Sequence, residues 1–177
     1  PTRRSSDLDW LASLQPALPS QAQVRWAQLD IADGAALDTL LQQCQQQLPP
    51  LCAVVHTAGE LADSSLLQMG SAQLSRVLRP KTDAAWQLHL ATLHLPLRFF
   101  VMYSSVASVL GNFGQANYAM ANGFMDGLCA WRRQQGLPAL SINWGPWQQG
   151  GMALAQQHKI NAQGYQWLNA ELLQPHW

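Results

Sequence analysis

The stretch LRFFVMYSSVASVLGNFGQANYAMANGFMDGLCAWRRQQ, residues 97–135, decides the fold class. It opens on an apolar and aromatic run at 97–105, which predicts a buried strand. A loop of small and polar residues follows, and 117–135 then carries the apolar period of an amphipathic helix. A strand, a loop and a long helix in this order form the repeating unit of a parallel sheet with crossover helices.

The rest of the chain repeats this pattern and so predicts an α/β domain whose parallel sheet is covered by helices on both faces. Three further runs predict strands: VRWAQLD (24–30), LCAVVH (51–56) and PALSINWG (138–145). Amphipathic stretches predict helices at 34–48, 71–78 and 82–93.

Composition narrows the class of protein further. The chain has 177 residues, 48% hydrophobic and 11% charged, with a formal net charge of zero, which is typical of one globular domain. No basic patch points to nucleic acid, because the pair Arg132/Arg133 fits the solvated end of a helix. Three cysteines without a CxxC motif argue against a disulfide framework and against a metal site. No apolar run approaches the roughly twenty residues of a membrane span, so we expect a cytoplasmic protein without membrane partners.

The first eight residues, PTRRSSDL, correspond to the translation of a widely used sequencing adapter. We therefore expect residues 1–8 to be a non-native leader. The alternative is a natural polar terminus.

Small or polar residues follow all four predicted strands. They are Asp30, HTAG (56–59), Ser104 with Ser105, and NWGPW (143–147). In a nucleotide-binding sheet the ligand lies beyond the carboxyl ends of the strands. Gly, Asp and Asn are also the residues with which strands ordinarily turn into helices, so the pattern supports a site and simple turn chemistry about equally.

Ser105, Tyr118 and Asn122 form a candidate catalytic group. A helix that begins at Tyr118 presents Asn122 on the same face one turn later, and Ser105 ends the preceding strand. Two converging hydroxyls suit a carbonyl substrate, which the serine orients and the tyrosine protonates. A nearby ammonium would lower the tyrosine pKa from about 10. Of the two lysines, Lys81 precedes a predicted helix and can reach the site, although a surface position is the more ordinary one, and Lys159 lies in a weakly patterned region.

Several motifs, in order, resemble the ketoreductase domain of bacterial modular (type I) polyketide synthases. They are PLCAVVHTAGELADSSLLQ, VLRPKTDAAWQLH, LPLRFFVMYSSVASVLGNFGQANYAMANGFMDGL and RRQQGLPALSINWGPWQQGGMA, and the likeness covers roughly residues 20–155. The resemblance implies a Rossmann-like, doubly wound fold of the short-chain dehydrogenase/reductase superfamily. It also implies that NADPH reduces the β-keto group of an acyl chain held by an acyl carrier protein, among neighbouring polyketide synthase domains.

In that family the lysine and asparagine of the ordinary superfamily tetrad exchange places, and this sequence matches the exchanged pattern. The resemblance implies that Tyr118 donates the proton and that Ser105 orients the carbonyl. It further implies that Lys81 supplies the ammonium that lowers the tyrosine pKa, and that Asn122 is a supporting hydrogen-bonding residue.

The resemblance also implies the cofactor-binding residues. Asp30 with Ile31 would lie beside the adenine, and Ala58 with Gly59 next to the ribose and nicotinamide, where a larger side chain would occupy the space of the cofactor. The other implied cofactor contacts are Ser104, Asn143, Gly145 and Trp147. The alternatives are that Asp30 caps the next helix and that Trp147 is a core aromatic residue.

Three positions bear on the configuration of the hydroxyl product, and a fourth bears on epimerisation. In B-type ketoreductases a Leu-x-Asp motif follows HxAG, and Leu61 and Asp63 match it here with alanine between them. A-type enzymes carry a tryptophan eight residues before the tyrosine, where this chain has Leu110. Met120 replaces the proline of enzymes that accept epimerised α-substituents. We therefore expect a B-type, D-hydroxyl product without epimerisation.

No GxGxxG turn occurs in the sequence. The resemblance places that turn and the first two strands of the fold upstream, so we expect a truncated sheet and poor NADPH binding by the chain itself. We expect 9–155 to be the C-terminal portion of a ketoreductase domain and 156–177 a truncated helical extension.

Two other functions stay open. One is a catalytically silent ketoreductase remnant that scaffolds its module, against which the complete set of four catalytic candidates argues. The other is the reductase domain of a multifunctional fatty acid synthase. A sugar-nucleotide epimerase or a free-standing dehydrogenase would instead want lysine at position 122.

Overall fold

The computed structural model of the chain describes residues 24–148, 157–162 and 164–169, together with the single residues 19, 22 and 152. The leader expected at 1–8 lies outside the described residues.

Three parallel strands form the sheet of the described chain, in the order β1-β2-β3. They are β1 (Ala53–His56), β2 (Phe99–Ser105) and β3 (Leu140–Trp144). Val54 pairs with Phe100, and Ser105 pairs with Trp144, so the carboxyl ends of the strands lie along one edge. This arrangement confirms the α/β class and three of the four predicted strands.

Helices connect and flank these strands, close to the predicted positions. They are α1 (Gly34–Gln47), α2 (Ser71–Leu78), α3 (Ala84–Ala91), α4 (Ala107–Leu110), α5 (Ala116–Gln134) and α6 (Gln157–Ala162). A short 3₁₀ turn at Leu66–Gln68 precedes α2. The carboxylate of Asp33 caps α1 by accepting a hydrogen bond from the backbone of Ala36.

The segment Arg79–Asp83 joins α2 to α3 as a π-helical turn. Pro80 lies within it and has no backbone N–H, which interrupts the α-helical ladder at this point. Such turns inside helices are frequent at functional sites. Here the turn carries Lys81 into the interior.

Apolar side chains from α1, α3, β2 and α5 form the core. On β2, Phe100 and Met102 are two residues apart and point to the same face. Helix α5 covers that face with Met125, Leu128 and Cys129, which follow helical spacing.

Arg132 corrects one prediction from the sequence. The pair Arg132/Arg133 was expected at the solvated end of a helix, but Arg132 is only 1% exposed. Its guanidinium stacks 3.8 Å from the centroid of the Phe100 ring and lies 2.7 Å from Nδ1 of His89. Cation–π contact and hydrogen bonding thus compensate for the burial of its charge.

The segment 24–30 corrects a second prediction, because the structure assigns it no strand. Trp26 is 61% exposed, and no neighbouring strand of the described chain hydrogen-bonds to this segment. A strand needs a partner for its backbone N–H and C=O groups, and an apolar pattern alone does not provide one.

Part of the expected C-terminal extension is described. Helix α6 lies within it, and an isolated bridge pairs Leu168 with Trp147 just after β3; residues 170–177 lie outside the described part. Across the residues that are described, no helix is both long and apolar enough to cross a membrane.

Candidate active site

A cavity of about 270 Å³ opens at the carboxyl edge of the sheet, where β2 and β3 end and α5 begins. Lys81, Ser105 and Tyr118 all line it. Its wall also includes Thr57, Leu61, Tyr103, Trp144, Trp147 and Tyr165. Ligand pockets usually hold roughly 300 Å³ or more, so this cavity suits one ring and a short acyl group better than a whole dinucleotide.

The local structure explains why Ser105 and Tyr118 meet. Ser105 ends β2, and the following loop returns the chain so that α5 begins beside it. Asn117 fixes the first turn of α5, since its Oδ1 accepts from the backbone N–H of Tyr118 at 2.8 Å. Its Nδ2 donates to the carbonyl of Ala62 at 2.9 Å. Asn117, which is 1% exposed, therefore ties the tyrosine helix to the 61–63 loop.

Lys81 reaches the cavity from the π-helical turn. Its Nζ donates to the backbone carbonyl of Tyr103 at 3.0 Å and lies 5.5 Å from the centroid of the Tyr118 ring. Burial lowers the pKa of Lys81 from 10.5 to about 8, and the carboxylate of Asp126 partly offsets that effect. Lys81 is therefore still largely an ammonium at neutral pH.

The pKa of Tyr118 differs from the expectation. Lys81 was expected to lower it, but burial raises the pKa of Tyr118 above its ordinary value. The polar side chains of Ser105 and Asn122 act in the opposite direction without cancelling the effect of burial. A raised pKa keeps the phenol protonated at neutral pH, which is the form that a proton donor needs.

Asn122 does not line the cavity but lies one helical turn behind Tyr118, fully buried. Its Nδ2 donates to the carbonyl of Tyr118 at 2.7 Å, and the hydroxyl of Ser104 donates to the carbonyl of Asn122 at 3.3 Å. Its Oδ1 has no hydrogen-bond partner among the described residues. The structure therefore gives Asn122 a supporting position rather than direct access to the cavity.

One feature behind the cavity wall and one within it bear on the ring end of a nicotinamide cofactor; Gly59 itself does not line the cavity, whereas Trp144 does. A Cβ added to Gly59 would lie 2.8 Å from Cε of Lys81, so a larger residue at this position of the HTAG turn would displace the end of the Lys81 side chain. The indole N–H of Trp144 is buried without a hydrogen-bond partner among the described residues. It is a donor that a bound ligand could satisfy.

Some of the other residues expected to bind the cofactor line the cavity, and others do not. Those that line the cavity are Ser104, Gly145 and Trp147. Ala58 and Asn143 do not line it. The amide of Asn143 instead donates to Oγ of Ser108 at 2.7 Å and to Oδ2 of Asp126 at 2.9 Å.

The two residues expected beside the adenine lie outside the cavity wall. Asp30 is exposed, and hydrogen bonds from the backbone of Ala32 and from Arg79 hold the pKa of its carboxyl below the usual range. Ile31 packs against the core. Asp33, not Asp30, caps the following helix.

The three stereochemical positions are placed differently from one another. Leu61 lines the cavity. Asp63 does not, but its carboxylate accepts from Nε2 of Gln115 at 3.0 and 3.1 Å, and Gln115 does line it. Leu110 ends α4, is 67% exposed and does not line the cavity.

Sequence reasoning missed Gln115, Asn117 and Asp126. Gln115 immediately precedes α5, and Asn117 and Asp126 lie on it. Each contacts a residue at least 15 positions away in the chain. Helical spacing offered one signal, because Asp126 falls four residues after Asn122 and eight after Tyr118.

Comparison with solved structures places this fold among ketoreductases. A ketoreductase domain from the bacillaene assembly line superposes with a TM-score of 0.84 at 28% sequence identity, covering 95% of this chain and 42% of that one. A-type ketoreductases from a modular polyketide synthase give a TM-score of 0.76 at 40% identity, covering 86% and 32%. The fold is therefore Rossmann-like, of the short-chain dehydrogenase/reductase type.

The KR domain family model matches residues 2–149, and the chain belongs to that family. KR domains are NAD(P)-dependent reductases. Mycoketide-CoA synthase of Mycobacterium tuberculosis is 42% identical over 169 residues, which cover 92% of this chain and 4% of the synthase. The chain thus spans a small part of the multidomain synthase that it matches.

Proposed function

We propose that the ketoreductase domain to which this chain belongs reduces the β-keto group of an acyl chain on an acyl carrier protein to a β-hydroxyacyl group, with NADPH, in polyketide biosynthesis. The observation that carries the proposal is the convergence of Lys81, Ser105 and Tyr118 on one cavity. An ammonium, an aliphatic hydroxyl and a protonated phenol are the groups that carbonyl reduction needs.

In this mechanism the Ser105 hydroxyl donates a hydrogen bond to the substrate carbonyl and orients it. The phenol of Tyr118 then donates its proton to the carbonyl oxygen as the carbon is reduced. Lys81, 5.5 Å from the ring of Tyr118, stabilises the negative charge that the tyrosine oxygen acquires. Asn122 supports this arrangement by holding the carbonyl of Tyr118.

Bound NADPH would supply the hydride. Gly59, Gly145 and Trp147 would hold its nicotinamide end beside the substrate. Asp30 and Ile31 would lie beside the adenine, and Ala58 with Gly59 beside the ribose and nicotinamide. Ser104 and Asn143 are further proposed cofactor contacts.

We further propose a B-type, D-hydroxyl product. Leu61 lines the cavity, and the hydrogen bonds of Asp63 to Gln115 tie the 61–63 loop to the start of α5. A fixed loop at the mouth would present one face of the ketone. Neighbouring polyketide synthase domains would supply the carrier protein.

The test uses the full-length protein that carries this chain. A β-ketoacyl pantetheine thioester is incubated with NADPH, and separately with NADH, and the product is resolved by chiral chromatography. We expect stoichiometric NADPH oxidation, a D-hydroxyl product, and a lower KM when the same acyl chain is loaded on the carrier protein.

Two outcomes would revise the proposal in different ways. A folded protein that consumes neither nucleotide would overturn the reductase and support a silent scaffold. An L-hydroxyl product would overturn only the B-type assignment.

A further inference from the structure

A polar cluster lies behind the cavity, around the carboxylate of Asp126 on α5. Tyr118, Asn122 and Asp126 are spaced four residues apart and so share one face of that helix. Asp126 does not line the cavity. A half-buried carboxylate therefore lies two helical turns behind the catalytic tyrosine without reaching the cavity.

Three donors from other elements converge on this carboxylate. The hydroxyl of Ser141, on β3, donates to Oδ1. The hydroxyl of Ser108, on α4, and the amide of Asn143, on β3, reach Oδ2 at 2.6 and 2.9 Å. Burial alone would raise the pKa of Asp126, but these hydrogen bonds, together with the hydroxyl of Ser104, hold it below its ordinary value. The group is therefore an anion that accepts from both sides.

The two groups on Oδ2 also contact the peptide of Ser105. Oγ of Ser108 lies 2.8 Å from the carbonyl oxygen of Ser105, and Nδ2 of Asn143 lies 3.2 Å from the same oxygen. Ser108 has one hydroxyl hydrogen and the Asn143 amide has two, so these hydrogens are shared between Oδ2 of Asp126 and the Ser105 carbonyl. Ser141 has no such contact. One oxygen of the carboxylate is thus coupled to the catalytic serine, and the other is not.

We propose that Asp126 is a positioning residue of the reductase site: through Ser108 and Asn143 it fixes the Ser105 peptide, and with it the Ser105 hydroxyl, relative to Tyr118. The inference rests on the proposed function. It extends that function to a residue that touches neither substrate nor cofactor. Because the same helix carries Tyr118 and Asp126, the cluster sets both hydroxyls from one rigid element.

Two matched variants test this in the full-length protein that carries the chain. Ser108→Ala and Ser141→Ala each remove one hydroxyl from the same carboxylate, but only Ser108→Ala breaks a link to Ser105. We expect Ser108→Ala to lower kcat by about tenfold with little change in KM, since misplacement of a catalytic group by a fraction of an ångström is costly. Ser141→Ala should keep kcat within about twofold at a similar Tm.

Asp126→Ala and Asp126→Asn complete the series. The alanine variant should lose about a hundredfold in kcat. The asparagine variant should recover part of it, because its amide oxygen can still accept from Ser108 and Asn143 while its NH₂ faces the hydroxyl of Ser141. Equal losses in Ser108→Ala and Ser141→Ala would overturn the proposal, as would an Asp126→Ala enzyme with unchanged kcat. If Asp126→Ala fails to fold, the serine pair decides.

Crystal structures of the two serine variants give a readout that does not depend on activity. We expect Oγ of Ser105 to move by about 0.5 Å or more in Ser108→Ala and to stay in place in Ser141→Ala. A wild-type protein without reductase activity would refute the proposed function, while the position of Ser105 would still decide the role of Asp126. If Oγ of Ser105 does not move in Ser108→Ala, the positioning role proposed for Asp126 is overturned.

Discussion

The segment 24–33 and the unit of β2 with α5 are held by different kinds of contact. The segment runs along the surface, where Leu29 and Ile31 touch the edge of the core. An exposed ion pair between Asp30 and Arg79 links it to the π-helical turn. In the β2–α5 unit, Phe100 and Met125 are at most 1% exposed. The backbone of β2 pairs with that of β3 along the sheet. Exposed contacts of the first kind contribute little stability, whereas buried ones contribute several kcal/mol each.

The candidate catalytic groups lie in the second region or against it. Ser105 ends β2, Tyr118 begins α5, and Lys81 reaches them from a turn packed on α5. A site that must hold hydroxyls to a fraction of an ångström needs this kind of support. The residues expected beside the adenine lie in the first region, where Asp30 is exposed and Ile31 packs only against the edge of the core.

Truncation of a buried ring should show the largest contrast in stability between the two regions. Phe100→Ala removes a core ring and its stacking on Arg132, and should lower the free energy of unfolding by about 3–5 kcal/mol. Trp26→Ala, a larger truncation at a 61% exposed position, should cost about 0.5 kcal/mol or less. Urea denaturation of both variants measures the difference. A Trp26→Ala cost above about 2 kcal/mol would show that the segment is packed after all.

The second largest effect should be a loss of folding stability at acid pH caused by His56, which ends β1 beside the site. Burial, with the charge of Lys81, lowers the pKa of His56 from 6.5 to about 4. Above pH 6.5 the imidazole is neutral in both states. As the pH falls, the unfolded chain takes up the proton first, so the free energy of unfolding should drop by about 3 kcal/mol between pH 6.5 and 4.

His56→Asn should reduce this pH dependence but leave a remainder, because burial lowers the pKa of His89 as well. His94→Gln, at an exposed position, should leave the pH dependence unchanged. Denaturation curves at several pH values measure it. A His56→Asn protein with the pH dependence of the wild type would contradict the buried, neutral imidazole.

Lys81 should show a smaller effect of opposite sign. The folded state holds a buried ammonium whose pKa is about 8 instead of 10.5, so burial of its charge costs stability at neutral pH. Lys81→Met removes that cost but also the hydrogen bond to Tyr103, and should raise the free energy of unfolding by about 2 kcal/mol. The same variant should lose reductase activity. A destabilised but active Lys81→Met enzyme would contradict both assignments.

The smallest effect should come from the surface ion pair of the first region. In a double-mutant cycle of Asp30→Asn and Arg79→Gln, the coupling between the two residues should be about 0.5 kcal/mol or less, because both side chains are about half exposed. It should fall further at high salt. A coupling above about 1.5 kcal/mol would show that this ion pair is as strong as a buried contact and would contradict the contrast between the two regions.

The sequence predicted what depends on local pattern. The strands at 51–56, 97–105 and 138–145 and the four long helical stretches follow from period and composition, and the structure contains them with shifts of a few residues. The predicted strand at 24–30 has the same pattern but no hydrogen-bonding neighbour in the described chain, which no local pattern reports. Helical period also could not show that Arg132 turns inward, because its partners Phe100 and His89 lie on other elements.

In the candidate site, too, the residues that follow from local pattern were predicted and the contacts between distant residues were not. Ser105, Tyr118 and Lys81 were named from spacing and from resemblance, and the structure brings them to one cavity. The surroundings that set the pKa values and positions of these side chains were not predictable from the sequence. They arise from burial and from contacts between residues far apart in the chain. The raised pKa of Tyr118 and the cluster around Asp126 are both of this kind.

Tyr118→Phe tests most directly the proposal that Tyr118 donates the proton in a ketoreductase site. The variant removes one hydroxyl and keeps the ring, so the full-length protein should keep its Tm. Single-turnover reduction of a β-ketoacyl thioester, monitored by NADPH absorbance, should slow by about 10²–10⁴-fold, the range that a general acid contributes. A rate within about threefold of the wild type would show that the proton comes from elsewhere and would overturn the role proposed for Tyr118.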